Sequence, residues 1–380
     1  MRFAEESHAR VAALDGLRGI AALAVVLWHS LGVYAVTAPW LPPLLRSPLG
    51  PLVNGAGAPQ LFFALSGFVL SASLARGSGG LHVVRFWLRR IFRIHPPYLA
   101  AIVLAWLASF VALSGAAAPG LTEWGSVSAG VHVPLRALLL SFLFPGPAFG
   151  QLPPGWSLRI ELWYSLLMPA LFLAGRRGHW LLLLALSGFT LEHNRTPLLA
   201  LQWTLDFALG ITLYLEREAV TRFLARRSAA FGVACVALAL VVYEAPLAFF
   251  PLRIAGGMVM SGGEKWDLVL QGLGAVGLMA CALGVGGFAR LLDSPALALL
   301  GRVSYSVYLV HFPILMLIAR VLPPPATLGG AALRIALVVV ATGVLSLAGY
   351  SLVERPAIAL GNAISRALAR LGGAAQRARP

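Results

Sequence analysis

Long apolar segments recur along the whole of this 380-residue chain, separated by short polar stretches. Only 11% of the residues are charged, against about 25% in a typical soluble domain, and 59% are hydrophobic. Most of these segments approach the roughly 20 residues that a helix needs to cross a bilayer. The sequence therefore predicts an all-α fold, a polytopic integral membrane helix bundle without an appended soluble domain.

We predict about ten transmembrane helices, near residues 14–35, 59–75, 97–114, 158–175, 179–192, 198–215, 229–245, 268–288, 304–321 and 331–353. The segment 135–149 is short and is interrupted by Pro145 and Pro147, so we expect it to be re-entrant or interfacial. If that segment does not cross, most of the 29 cationic residues lie on the side of the N-terminus, as the positive-inside rule requires. Both termini are then cytoplasmic. Residues 1–358 form one membrane domain, and residues 359–380 form a short basic tail.

A net charge of +15 raises the question of nucleic-acid binding. The arginines, however, lie in short clusters between apolar segments, where membrane topology and anionic headgroups account for them. We therefore expect membrane lipid, and no nucleic acid, among the partners. Cys235 and Cys281 both lie inside apolar segments, which predicts neither a disulfide framework nor a metal site.

The first apolar segment contains three ionisable residues, Asp15, Arg18 and His29. Arg18 and His29 are separated by about three helical turns, so they share one helix face and lie roughly 16 Å apart along the axis. Asp15 can pair with Arg18 one turn away. Ionisable groups inside a span are costly and are functional candidates by default. The alternative for His29 is a buried histidine bonded to a backbone carbonyl.

A basic segment precedes the third predicted span. On a helix, His82, Arg85, Arg89 and Arg93 form one stripe, with Arg90 beside it and apolar residues opposite. This pattern predicts an amphipathic helix in the cytoplasmic interface. One guanidinium group can donate two parallel hydrogen bonds to the oxygens of a phosphate. The stripe therefore fits either a phosphate-bearing ligand or anionic lipid.

The fourth span begins with a polar group after a Pro-Pro-Gly turn. Ser157 can cap this helix, and Glu161 lies one turn further on. Trp156 suits the aromatic belt at the outer surface. Glu161 is placed to act as an acid or a base, or to complement the helix dipole.

Polar residues also follow one face of the ninth span. Ser304, Tyr308 and His311 recur at helical spacing, a pattern more typical of interhelical hydrogen bonding than of chemistry. Asp206, inside another span, has the same two interpretations.

Together these segments resemble the acyltransferase 3 family of integral membrane acyltransferases. The matching segments, in the family's order, are Leu14 to Gly19 with His29, Phe62 to Phe68, Arg89 to Ile94 with Pro96, Trp156 to Glu161 with Trp163 and Tyr164, Gly301 to Pro313, and Glu354 to Pro356. Trp163 stands where the family usually has phenylalanine. The family's arginine–histidine pair falls on Arg18 and His29, and its paired arginines fall on Arg90 and Arg93.

The resemblance implies a ten-helix enzyme in the bacterial cytoplasmic (inner) membrane. Such an enzyme moves an acyl group, often acetyl, from cytoplasmic acyl-CoA to an acceptor hydroxyl, commonly on a cell-envelope or exported glycan. We expect His29 to be a general base or a transient acyl acceptor. Glu161, expected at the outer end, would orient the imidazole or the acceptor.

The expected site residues fall into three groups. The catalytic residues are His29, Glu161 and Arg18. The residues expected to bind acyl-CoA are Arg85, Arg89, Arg90, Arg93 and Arg18. The residues expected to bind the acceptor are Trp156, Ser157, Asp15, Tyr308 and His311.

Two other classes of protein compete with this interpretation. A proton-coupled secondary transporter could use Asp15, His29 and Asp206 as a relay. Transporters usually show repeated halves with matching broken helices, and we find no such repeat in the sequence. A non-catalytic membrane scaffold would leave the ionisable residues of the spans without a purpose.

Overall fold

The computed structural model describes residues 2–77, 79–111, 120–130, 132, 134–143, 155–193, 201–255, 258–261 and 265–377. Their helices, in chain order, are α1 (Arg2–Val33), α2 (Leu41–Leu45), α3 (Gly50–Val53), α4 (Ala58–Leu74), α5 (Gly80–Ala108), α6 (Glu123–Gly130), α7 (Leu135–Leu143), α8 (Gly155–His193), α9 (Thr204–Ala225), α10 (Ala229–Phe249), α11 (Lys265–Gly284), α12 (Gly286–Leu292), α13 (Pro295–Val321), α14 (Leu328–Gly349) and α15 (Arg355–Arg377). Short 3₁₀ helices occur at Ala35–Trp40 and Leu201–Trp203. A hairpin of β1 (Leu252–Ala255) and β2 (Met258–Ser261) is antiparallel, with Leu252 opposite Ser261.

The fold is the multi-pass helical membrane bundle that the composition predicts. Within the described ranges, seven helices are long and apolar enough to cross a membrane: Ala12–Val33, Gly80–Ala108, Gly155–Trp180, Ala229–Phe249, Trp266–Gly284, Pro295–Val321 and Leu328–Leu371. The other three predicted spans fall on the 17-residue α4, on the part of α8 beyond its kink at Gly178, and on the 22-residue α9. The total of ten spans and the cytoplasmic termini stay predictions.

One helix, α5, replaces the separate interfacial helix and span predicted around Pro96 and Pro97. It runs without interruption from Gly80 to Ala108. Proline is tolerated inside a membrane helix where neighbouring groups satisfy the freed backbone atoms. Pro96 and Pro97 leave the carbonyls of Phe92 and Arg93 without their helical donors. At the next residue the Tyr305 hydroxyl of α13 donates to the Ile94 carbonyl over 2.7 Å and ties this turn of α5 to α13. The basic stripe and the span are therefore one rigid element.

The predicted re-entrant segment 135–149 and the predicted tail 359–380 are also helical where the structure describes them. The nine-residue α7 covers the start of segment 135–149 and is about 14 Å long, too short to cross a bilayer; residues 144–149 lie outside the described ranges. At the other end, α14 continues through a π-helical turn at Tyr350–Glu354 into α15. Much of the predicted tail thus lies in a helix that packs along α5, where Gly361 contacts Phe92.

The backbones of α1 and α13 approach each other closely at two glycines. A Cβ atom at Gly19 would lie 2.7 Å from the Gly301 nitrogen, and one at Gly301 would overlap the carbonyl oxygen of Asp15. Small residues permit such close packing of membrane helices. The pair runs parallel, because Arg18 and His29 of α1 meet residues of α13 in the same order along the chain.

We expect Gly301→Ala to destabilise the protein, because its methyl group would push two backbones apart. Overpacking of this kind costs about 1–3 kcal/mol. The matched control is Gly343→Ala on α14, where an added Cβ meets no atom within 4 Å and alanine favours the helix. Thermal unfolding in detergent should show a lower midpoint for Gly301→Ala and an unchanged or higher midpoint for the control. Equal midpoints would contradict the close approach.

Candidate active site

Arg18 joins α1 to α13 at one level of the bundle. Its Nε donates to Ser304 Oγ over 2.9 Å, and its Nη2 donates to the Gly301 carbonyl over 3.0 Å. The same Nη2 forms an ion pair with Asp15 at 2.8 Å, as the i, i+3 spacing predicted. These contacts hold the guanidinium plane in one orientation, since a planar fork bonded along two edges cannot rotate.

A cleft of about 760 Å³, including its open mouth, lies beside Arg18 between α1, α4, α5, α8 and α13. Arg90 and Arg93 of α5 line it together with Glu161 of α8. Glu161 forms an ion pair with Arg90 and accepts a hydrogen bond from Ser66 at 3.0 Å. Arg90 Nε also donates to the Ser165 hydroxyl at 2.9 Å. The cleft therefore offers several fixed donors to an anionic or carbonyl-bearing ligand.

A further carboxylate, Glu354, offsets the positive charge of the arginine layer, which consists of Arg18, Arg90 and Arg93. It accepts a hydrogen bond from Ser306 at 2.7 Å and interacts electrostatically with Arg93 and Arg18. Each of the three arginines at the cleft thus has a carboxylate close to it, with Arg90 facing Glu161. A buried charge is costly unless it is paired, which explains how this layer is stable inside the bundle.

About two turns further along α13, His311 forms a hydrogen bond with His29. Nδ1 of His29 lies 3.0 Å from Nε2 of His311, and the two rings are nearly coplanar, with 14° between their planes. Nδ1 of His311 lies 3.2 Å from the Val307 carbonyl oxygen. A carbonyl only accepts, so His311 carries its proton on Nδ1, and its Nε2 accepts the proton of His29 Nδ1.

This pair of hydrogen bonds fixes the tautomer of His29. Its Nδ1 is the donor, so its Nε2 holds the free lone pair that a base or nucleophile needs. His311 is fully buried, whereas His29 is partly exposed. Trp124 of α6 lies almost parallel to the His29 ring, with centroids 5.6 Å apart. His29 thus combines the partner and the partial exposure of a reactive group with a hydrogen bond to the Val25 backbone, the contact that the structural alternative predicts, and its catalytic role stays a prediction.

The two levels are joined by the polar stripe of α13. Ser304 bonds Arg18, Tyr308 shares a 2.7 Å hydrogen bond with Ser157, and His311 bonds His29. The Tyr308 ring also lies 6.0 Å from the His311 ring. All three residues therefore make the interhelical contacts that their spacing predicted, and the stripe leads from the cleft to His29.

Glu161 lies one turn into α8, and its place at the outer end of the span stays a prediction. The first turn of α8 contacts Tyr308, which is at the midpoint of α13. One turn later Glu161 has reached the level of Arg90. Its contacts among the described residues are with Arg90 and Ser66, and none of them is with His29.

The predicted arginine stripe divides into two groups. Arg90 and Arg93 line the cleft, whereas Arg85 and Arg89 bond the Ser365 hydroxyl of α15 at 3.2 and 3.3 Å. Sequence spacing places all of them on one side of α5 but does not reveal that two different helices pack there. The structure thus separates a cleft-lining pair from a pair that holds α15.

Trp156 packs in an aromatic cluster, and its place in an outer belt stays a prediction. Its ring lies 5.1 Å from the Trp203 ring and 6.3 Å from the Phe63 ring. Sequence reasoning missed Ser66 and Trp124 as site residues. Ser66 lies inside the matched segment Phe62 to Phe68, which was a usable signal, whereas nothing in the sequence distinguishes Trp124.

Comparison with known proteins supplies the family. The chain matches the model of the acyltransferase domain Acyl_transf_3 over residues 11–351. Acyltransferase MdmB of Streptomyces mycarofaciens is 34% identical over 162 residues, which are 42% of this chain and 38% of that protein. Exopolysaccharide production protein ExoZ of Rhizobium meliloti (strain 1021) is 29% identical over 341 residues, 84% of this chain and 95% of that protein. No solved structure matches the chain. Because the family match covers nearly the whole sequence, the chain belongs to the acyltransferase 3 family.

Proposed function

We propose that this protein is a membrane O-acyltransferase that uses acyl-CoA, with acetyl as the first acyl group to test. The acceptor we propose is a hydroxyl of a cell-envelope or exported glycan. The observation that carries the proposal is the partly exposed His29, whose Nε2 lone pair is set by His311, at the end of a polar stripe that begins in the arginine cleft. The family membership gives this geometry its chemical context.

The donor is proposed to enter from the arginine layer. Arg93 and Arg18 line the cleft and supply guanidinium groups for the phosphates of acyl-CoA. Arg90 is held by Glu161 and Ser165 and keeps the cleft wall in place. The proposed donor-binding arginines are thus fewer than the sequence predicted, because Arg85 and Arg89 bond α15 instead.

The proposed reaction is transfer by general base catalysis. Nε2 of His29 takes the proton of the acceptor hydroxyl as its oxygen attacks the thioester carbonyl. The intermediate then expels the CoA thiolate, which receives that proton, and the products are an ester and free CoA. When His29 is protonated, its Nδ1 proton still bonds Nε2 of His311, so the imidazolium keeps its partner. The alternative is direct attack by the same lone pair to give an acyl-histidine.

The glycan acceptor is supported by the relative ExoZ, whose name assigns it to exopolysaccharide production and which is similar over nearly all of its length. The shorter match to MdmB supports acyl transfer without specifying an acceptor. Location in the bacterial cytoplasmic membrane is part of the same proposal, as are ten spans and cytoplasmic termini.

The transporter alternative finds less support. Asp15 pairs with Arg18, and His29 bonds His311, so neither contacts the third member of the suggested relay. Asp206 is buried, and its carboxylate oxygens have no hydrogen-bond partner among the described residues. Asp15, His29 and Asp206 make no direct contact with one another in the described part of the protein.

Removing the proposed base should abolish turnover while leaving the protein folded. We expect His29→Ala to lower kcat by about 10²–10⁴-fold, the usual contribution of a general base. The matched control is His179→Ala, which removes a partly exposed histidine paired with Glu216. Release of CoA from acetyl-CoA, with an envelope glycan extract as acceptor, measures the rate in detergent. Full activity in His29→Ala would contradict the assignment.

His311 should act as a positioning residue. His311→Gln keeps a group that can accept the His29 Nδ1 proton, whereas His311→Leu does not. We therefore expect a larger fall in kcat for the leucine variant, with KM for acyl-CoA little changed in both. Equal losses in the two variants would indicate a packing role alone.

The division of the arginines gives a separate test. Arg93→Gln should raise KM for acyl-CoA by about tenfold or more, because a charge-assisted contact to phosphate contributes about 1.5–3 kcal/mol. Arg85→Gln removes an equal charge from the same helix. Because Arg85 bonds Ser365, the KM of this variant for acyl-CoA should stay near that of the unmodified protein. Comparable increases would show that both arginines face the donor.

A further inference from the structure

A second cluster of arginines lies at the end of α9, away from the cleft. Arg222, Arg226 and Arg227 are exposed and surround a surface pocket. Arg227 stacks on the ring of Phe223, with its guanidinium carbon 4.5 Å from the ring centroid. Glu218 lies 3.8 Å from Arg222 and offsets part of its charge, so positive charge remains in excess around the pocket.

An apolar groove begins beside this cluster and shares Ala219 and Phe223 with it. The groove has a volume of about 1140 Å³, including its open side, and lies between α9, α10 and α11. Along α11 it reaches from Cys281 to Leu273, which is about 12 Å of helix. The apolar groove therefore runs from the arginine cluster along the helices to the middle of α11.

The two features belong to the same end of the protein. Leu224 of α9 contacts Gly284 of α11, and Val285 contacts Gly232 of α10, so these three helix ends lie together. The chain turns from α9 into α10 directly after Arg227, and both helices leave that turn into the bundle. If the groove lies at the level of the lipid acyl chains, the arginine cluster lies at the level of the lipid headgroups.

We propose that this surface binds an anionic phospholipid. Its phosphate contacts Arg222, Arg226 and Arg227, and one acyl chain lies in the groove. The charge of the cluster selects an anionic headgroup over a zwitterionic one. The groove selects a ligand with a long apolar chain, which free phosphate lacks. The proposal does not depend on the enzymatic activity.

Native mass spectrometry of the full-length protein in detergent tests the headgroup. Dioleoylphosphatidylglycerol should give bound-lipid peaks at concentrations at least about tenfold below those needed for dioleoylphosphatidylcholine. In the triple variant Arg222→Gln, Arg226→Gln, Arg227→Gln, that preference should disappear. The matched control, Arg290→Gln, Arg366→Gln, Arg370→Gln, removes three other exposed arginines and should keep it.

Cysteine labelling tests the chain position, because the protein has two cysteines and both line the groove. In a Cys281→Ala variant, N-ethylmaleimide should label Cys235 several-fold more slowly with phosphatidylglycerol than with phosphatidylcholine. Equal labelling rates would overturn the proposal, as would an unchanged lipid preference in the arginine variant. If the mass spectrum showed two protein chains together without bound lipid, the groove would be assigned to a second copy, and the proposal would also be overturned.

Discussion

The site depends on how closely α1 approaches α13. Gly19 and Gly301 bring the two backbones together, and an added methyl group at Gly301 would overlap the Asp15 carbonyl. Only at this separation can the polar faces of two parallel spans meet as Arg18 with Ser304 and as His29 with His311. Two apolar helices at ordinary spacing would leave these groups buried and unsatisfied, which is expensive inside a membrane.

The same contact separates the site into two chemical levels. At the first, the guanidinium groups of Arg18, Arg90 and Arg93 lie beside carboxylates, so the layer is stable and its donors are fixed. At the second, Nε2 of the partly exposed His29 is left with its lone pair. The proposed reaction needs both properties, a fixed anion site for the donor and a neutral base for the acceptor, at a distance that a long donor can bridge.

The sequence predicted which faces are polar but not which residues meet. The eleven-residue spacing placed Arg18 and His29 on one face, and the stripe of α13 predicted interhelical contacts that the structure contains. Hydropathy could not show that Glu161 meets Arg90 of α5, because that contact joins residues far apart in the chain. Spacing likewise could not show that α15 covers part of the arginine stripe, since that contact joins residues far apart in the chain.

The tautomer of His29 is the most direct test of this account. Solid-state ¹⁵N NMR of histidine-labelled protein in lipid bilayers distinguishes a protonated ring nitrogen from one with a lone pair. Signals that disappear in His29→Gln and His311→Gln variants assign the two residues among the eight histidines. We expect both rings to be neutral and protonated at Nδ1, with His29 Nε2 unprotonated. A proton on His29 Nε2 in the resting protein would contradict it.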